Sequence, residues 1–134
     1  MRTKVTLLAL TLSVLLAGCS KDADVNAFIT ELDGATKEIV AKIDANPSSA
    51  GIDAAQKAFD ARKPVLTEKW NSIKGAVGVQ VSGDTKKKLE ESIKNNMKAL
   101  TEVSMRNMAK MAGDKEATIK FQRLMTEYGK TFQL

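Results

Sequence analysis

The sequence predicts an all-α protein, an antiparallel helical bundle of four helices. Three observations lead there. Apolar residues recur at steps of three and four through four consecutive segments, the spacing of one helix face. Ala, Lys, Leu, Met, Glu and Gln, the better helix formers, are plentiful. Val, Ile and Tyr gather into no alternating run that would have a partner strand. Hydrophobic residues are 43% and charged residues 28% of the 134-residue chain, a balance that belongs to a globular rather than a disordered protein. With aromatics at 4%, the core has to be built mainly from aliphatic side chains.

The first helix follows a polar tether at residues 20–24. Val25, Phe28, Ile29, Leu32, Ile39, Val40 and Ile43 form its apolar face, and Asp22 or Asp24 is placed to cap its start. Gly34 lies inside it, at a cost of about 1 kcal/mol relative to Ala. Residues 46–49, Asn-Pro-Ser-Ser, end it, because Pro47 disfavours helix at the residue before it. Ser48 or Ser49 then caps a second helix whose face is Ile52, Ala55, Phe59, Leu66, Trp70, Ile73 and Val77. Pro64 removes one backbone donor there. Since the apolar register continues through it, a kink is expected rather than a break.

Residues 75–83 contain three Gly, with Val77, Val79 and Val81 between them, and read as a loop with buried valines. The third helix begins near Ser82 or Asp84. Leu89, Ile93, Met97, Leu100, Met108 and Met111 form its expected core stripe, with Val103 at the edge. Gly113 ends it and Asp114 caps a fourth helix, with Ala117, Phe121, Leu124, Met125, Tyr128 and Phe132 on its inner face. Short turns between such segments suit a four-helix bundle, with a three-helix bundle and an appended C-terminal helix as the alternative. About 110 ordered residues bury enough apolar surface for one core without staples.

The start of the chain carries a different signal. Arg2 and Lys4 precede a run from residue 5 to 16 that is apolar except for Thr6, Thr11 and Ser13. A run of about a dozen is too short for a bilayer, which takes roughly 20, and the pattern is that of a secretory signal. It ends in Leu16, Ala17, Gly18 and Cys19, which resembles the lipobox of bacterial lipoproteins. The resemblance implies cleavage between Gly18 and Cys19, a diacylglycerol on the Cys19 sulfur and acylation of the new N-terminus. Several acyl chains give stable anchoring where one is marginal, each buried CH₂ contributing about 0.8 kcal/mol. Ser20 after the Cys, where enterobacterial relatives retained in the inner membrane have Asp, implies the outer membrane with the body facing the periplasm. The organisation expected is a signal peptide at 1–18, a lipidated N-terminus and tether at 19–24, and a helical bundle at 25–134.

Several functions are closed to this composition. With no His, the chain has no Ser-His-Asp or Cys-His catalytic site and no His-ligated haem or zinc. A single Cys allows neither an intrachain disulfide nor a Cys-pair metal site. Removing Arg2 and Lys4 with the signal lowers the formal net charge from +5 to +3, a mild bias that suits an anionic surface. Nucleic acid is not a partner expected of an exported protein.

Four features are candidate sites. Met105, Met108 and Met111, with Met97 nearby, suggest Cu(I), since thioethers bind that ion. The competing reading is core packing, because Met97, Met108 and Met111 fall within the stripe of Ile93 and Leu100 while Met105 points aside. Lys86, Lys87 and Lys88 could touch anionic headgroups, but Glu90 and Glu91 follow and a solvated face explains them. Trp70 and Tyr128 could stack on a ligand, but both sit on apolar stripes. Pairs such as Asp53 with Lys57 and Glu38 with Lys42 suit helix support at i, i+4 rather than catalysis. The reading is a non-enzymatic lipoprotein without a cofactor. Its partners are the membrane, through its lipid, and an envelope protein. A small-ligand or Cu(I) carrier is the alternative.

Overall fold

The computed structural model describes residues 20–132. Cys19, Gly18 and the rest of the signal lie outside the described residues. Four helices fill the described chain: α1 (Asp22–Ala45), α2 (Ser49–Ile73), α3 (Gly83–Met111) and α4 (Lys115–Thr131). No strand occurs among the described residues, and the fold is the all-α four-helix bundle expected. No helix among them is long and apolar enough to cross a membrane.

α1 and α2 form the central antiparallel pair. The turn at Asn46 and Ser48 joins them, Arg62 reaches Glu31 and Glu38, and Phe28 meets Trp70 at 5.4 Å. Consecutive helices run antiparallel, yet the neighbours across the bundle do not. α3 lies against α1 and α4 against α2, each parallel to the helix it flanks. The connection at residues 74–82 therefore carries the chain across the end of the bundle instead of folding α3 back onto α2.

One core runs through all four helices. Phe28, Leu32, Ile39 and Ile43 of α1 and Ile52, Phe59, Leu66 and Ile73 of α2 are fully buried, joined by Leu100 and Val103 of α3 and Leu124 of α4. A run of rings ties α4 in: Trp70 to Phe28, Phe28 to Phe132, Phe132 to Tyr128 and Tyr128 to Phe59, with centroids 5.2–5.7 Å apart. Such tilted and edge contacts suit the ring quadrupole. They make α4 part of the bundle rather than an appendage. Trp70 and Tyr128 are thus core residues.

α2 runs unbroken through Pro64. Pro64 is exposed, as is Asp60, whose carbonyl loses its helical partner, so water can satisfy it. The helix starts differ from expectation. α1 begins at Asp22, so only Ser20 and Lys21 remain of the expected tether, and the Lys21 N–H donates to the Gln80 carbonyl at 2.9 Å. Neither Asp22 nor Asp24 caps α1. Ser48 stands at the N-cap of α2, but its hydroxyl donates to Asn46 Oδ1 instead of accepting from the helix. Asp114 does that work for two helices. Its Oδ1 accepts from Ala117 N at 3.0 Å in α4, and its Oδ2 from Ser49 N at 2.9 Å in α2. These backbone donors hold the Asp114 carboxyl below the usual range for an Asp.

Gly51 shows how tightly α1 and α2 join. A Cβ there would sit 1.7 Å from the Asn46 carbonyl oxygen, whereas one on Gly34 would meet only Arg62 Nη1 at 3.6 Å. Gly51→Ala should destabilise the fold by about 1–3 kcal/mol despite Ala's better helix propensity, while Gly34→Ala should stabilise by up to about 1 kcal/mol. Urea unfolding of the two variants checks the opposite signs.

Tyr128 supplies a second test. Thr36 Oγ1 donates to the Leu32 carbonyl at 3.0 Å, so the 2.7 Å contact between the hydroxyls has Tyr128 donating to Thr36. Burial pushes the phenol up to about 12 from an ordinary 10. An acid whose folded pKa is raised is neutral in the fold while its unfolded form ionises, so stability falls as pH rises from 10 to 12. Alkaline unfolding should cost the native chain about 2 kcal/mol more over that window than Tyr128→Phe, read from urea midpoints at pH 8 and pH 12.

Candidate functional surfaces

The face α3 turns to the core is set by α1. Three carboxylates of α1, Asp22, Asp33 and Asp44, stand eleven residues apart. Eleven residues are three turns with a drift of only about 20°, so the three lie in one row. Asp22 Oδ1 accepts from the Ser82 N–H at 2.8 Å, at the N-cap of α3. Asp33 Oδ1 accepts from Ser92 Oγ at 2.7 Å and Asn96 Nδ2 at 2.6 Å. Asp44 takes both nitrogens of the Arg106 fork, Nε at 2.9 Å and Nη2 at 2.5 Å, and Asn107 Nδ2 at 2.7 Å. Parallel helices keep such a row in step along their whole contact. The Ser82 N–H holds the Asp22 carboxyl below the usual range, and the Arg106 guanidinium does the same for Asp44.

This row draws polar residues into the interface. Thr85, Ser92, Asn96 and Asn107 are buried on α3. Val103, expected at the edge of the apolar stripe, is fully buried. The expected core positions Met97 and Met108 are turned out, at 39% and 59% exposure, and Met105 is exposed at 64%. Only Met111 of the four joins the core. α3 is therefore rotated away from the orientation its hydrophobic pattern implies, because satisfying hydrogen bonds to a carboxylate outweighs burying a flexible thioether.

That rotation separates the Cu(I) candidates. Met105, Met108 and Met111 do not share a face, since Met111 packs in the core while Met105 and Met108 face solvent. Among the described residues, no group of three or more His, Cys, Asp or Glu is placed to hold a metal ion. The exposed Met97, Met105 and Met108 instead lie on the outer side of α3, with Thr101 and Ser104 between them.

The charged pairs also cross between helices. Asp53 pairs with Lys120 of α4 at 2.6 Å rather than with Lys57, and Glu38 with Arg62 of α2 at 2.9 Å rather than with Lys42. Lys120 also meets Glu116 at 2.8 Å, and hydrogen bonding to Asp53 raises its pKa. Glu127 accepts from Arg123 and Gln56 and is held low, Arg123 contributing most. Every carboxylate with a resolved shift is thus held as an anion.

Two grooves open at the end of the bundle where residues 74–82 cross. One of about 300 Å³ lies between α2, the crossing loop and α3, lined by Trp70, Val77, Leu89 and Ile93 together with Lys74, Lys86 and Glu90. The other, about 340 Å³, is more polar and lies between α2 and α4, with Lys74 and Lys130 among its lining residues. In the crossing loop Val77 and Val81 are half-buried as expected, but Val79 is 83% exposed. Lys86, Lys87 and Lys88 pair with no carboxylate among the described residues.

No family model matches the chain, and comparison with curated proteins and with solved structures finds no match.

Asp44 is the row's testable end. Asp44→Ala should lower stability by about 1–2 kcal/mol at pH 7, the sum of an exposed ion pair and a strong hydrogen bond to buried Asn107. Because the folded carboxyl titrates below its unfolded value, its contribution is complete above pH 4 and fades as pH falls through the folded pKa. Denaturant midpoints of the variant and the native chain should draw together as pH falls below the ordinary Asp range.

Proposed function

We propose that the chain is a bacterial envelope lipoprotein, held to a membrane by acyl chains on Cys19, whose helical body is a non-enzymatic interaction module for a second envelope protein. The anchor reading rests on the signal run and on Leu16, Ala17, Gly18 and Cys19. The destination that Ser20 implies is the outer membrane, with the body in the periplasm. For the interaction, one observation carries the reading: α3 exposes Met97, Met105 and Met108 where their pattern alone would bury two of them. Unbranched thioethers adapt to a partner's shape, and three of them exposed on one side of a helix suit protein contact.

Intact-mass measurement of the mature protein tests the anchor. The expected product begins at Cys19 and carries diacylglycerol, which Cys19→Ser abolishes. An unmodified chain retaining residues 1–18 would overturn the reading. For the interaction, a photoreactive side chain is placed at Met105 of the full chain in intact envelopes. One discrete crosslinked protein is expected. Met97→Lys with Met108→Lys should abolish that adduct while changing stability by no more than about 0.5 kcal/mol, because both side chains face solvent. Equal adducts from a probe at exposed Lys57, or indifference to the Lys substitutions, would overturn it.

A further inference from the structure

We propose that the crossing loop at residues 74–82 is a second membrane contact, docking on an anionic lipid surface so that the bundle stands on this end; the inference rests on Cys19 being the lipid anchor. Three independent features of this end point the same way. The first is where the anchor enters. The Lys21 N–H is bound to the Gln80 carbonyl and Asp22 to the Ser82 N–H, so the chain leaves the bundle at this loop. From Lys21 to Cys19 the backbone reaches at most about 7 Å, too little to let the loop stand clear of a surface holding the acyl chains.

The second is the loop's own chemistry. Val79 is the most exposed large apolar side chain among the described residues, at 83%. The loop from Gly75 to Gln80 carries no charge, and its turns are closed by its own backbone, Val79 N to Ala76 O at 3.0 Å and Gln80 N to Ala76 O at 2.8 Å. An uncharged apolar tip with part of its backbone already bonded loses less on leaving water than a charged or open loop does. The apolar-lined groove of about 300 Å³ opens beside it.

The third is charge. Lys74 and Lys86 line that groove, Lys130 lies across from Lys74, and Lys87 follows on α3. Acidic residues share this end as well, Glu90 lining the groove of Lys74 and Lys86 and Glu127 that of Lys130. Asp22 is bound to the Ser82 N–H, Asp24 is paired with Lys21 at 2.7 Å, and Asp84 lies in the first turn of α3. Lys74, Lys86, Lys87, Lys88 and Lys130 stand against Asp22, Asp84, Glu90 and Glu127, a small basic excess, and each Lys at an anionic surface strengthens attachment roughly fivefold. At the opposite end basic and acidic groups alternate, with Arg106 on Asp44 and Asp114 beside Lys115 and Glu116.

The test uses the lipidated full chain in vesicles of phosphatidylethanolamine and phosphatidylglycerol at 3:1. Lipidation consumes the only native thiol, so Val79→Cys and Gly113→Cys each take a single nitroxide label. A Cβ at Gly113 meets nothing within 4 Å, and that position marks the far end. The label at residue 79 should be protected at least fivefold from a water-soluble nickel relaxant relative to residue 113, and accessible to oxygen. Lys74→Gln with Lys86→Gln, or a change to phosphatidylcholine, should return it to water. Equal nickel access at the two positions would overturn the proposal, and protection that persists in phosphatidylcholine would overturn its dependence on charge. A native protein that reacts with maleimide would instead overturn the lipid anchor, so the two failures are told apart.

Discussion

The row of α1 carboxylates is the interaction on which the arrangement turns. Asp22, Asp33 and Asp44 give α1 a second functional face beside its apolar one, and α3 binds along it. A carboxylate at a helix–helix contact needs donors, and only Ser82, Ser92, Asn96, Arg106 and Asn107 supply them at matching intervals on α3. That requirement fixes three things together: α3 runs parallel to α1, it sits in a set axial register, and it turns its amide side chains inward. An aliphatic interface would tolerate sliding and rotation at a modest cost. A hydrogen-bonded one does not, because each slip leaves a buried donor unpaired.

The remaining features follow from that pairing. Parallel α1 and α3 force the chain to cross the bundle end after α2, which makes residues 74–82 a loop rather than a tight turn. The same geometry brings the loop to the start of α1. The rotation of α3 leaves Met97, Met105 and Met108 outside. α4 is placed by other means. Asp114 joins its start to the start of α2, and the rings of Tyr128 and Phe132 join its end to α1 and α2. The two proposed contacts, one with protein and one with lipid, thus lie on different parts of the same asymmetry.

Legibility in the sequence tracked how local each cause is. Helix number and most boundaries depend on spacing, Gly and Pro, all within a few residues, and these were readable: Ser82 and Asp114 stand at the expected caps. Caps supplied from a distance were not. Asp22 stabilises the start of α3 instead of its own helix, and Asp114 serves α2 from 65 residues away. The ion pairs of Asp53 and Glu38 went to Lys120 and Arg62 for the same reason, since a packed neighbour outcompetes an i, i+4 partner exposed to water. One long-range signal was present unread. The eleven-residue interval of Asp22, Asp33 and Asp44 recurs in Thr85, Asn96 and Asn107, each 63 residues on.

By itself the sequence determined that this is an all-helical chain with no His or second Cys for the commonest site chemistries, and it supplied the resemblance of residues 16–19 to a lipobox. Those properties reside in composition and in short-range periodicity. The tertiary structure alone decided which side of α3 is buried, which methionines face solvent and which loop lies beside the N-terminus. Hydrophobic periodicity predicts only that a helix has an inner face. Where polar residues border that face, its angle is set by the donors and acceptors of the helix it meets, and that partner is known only once the chain has folded.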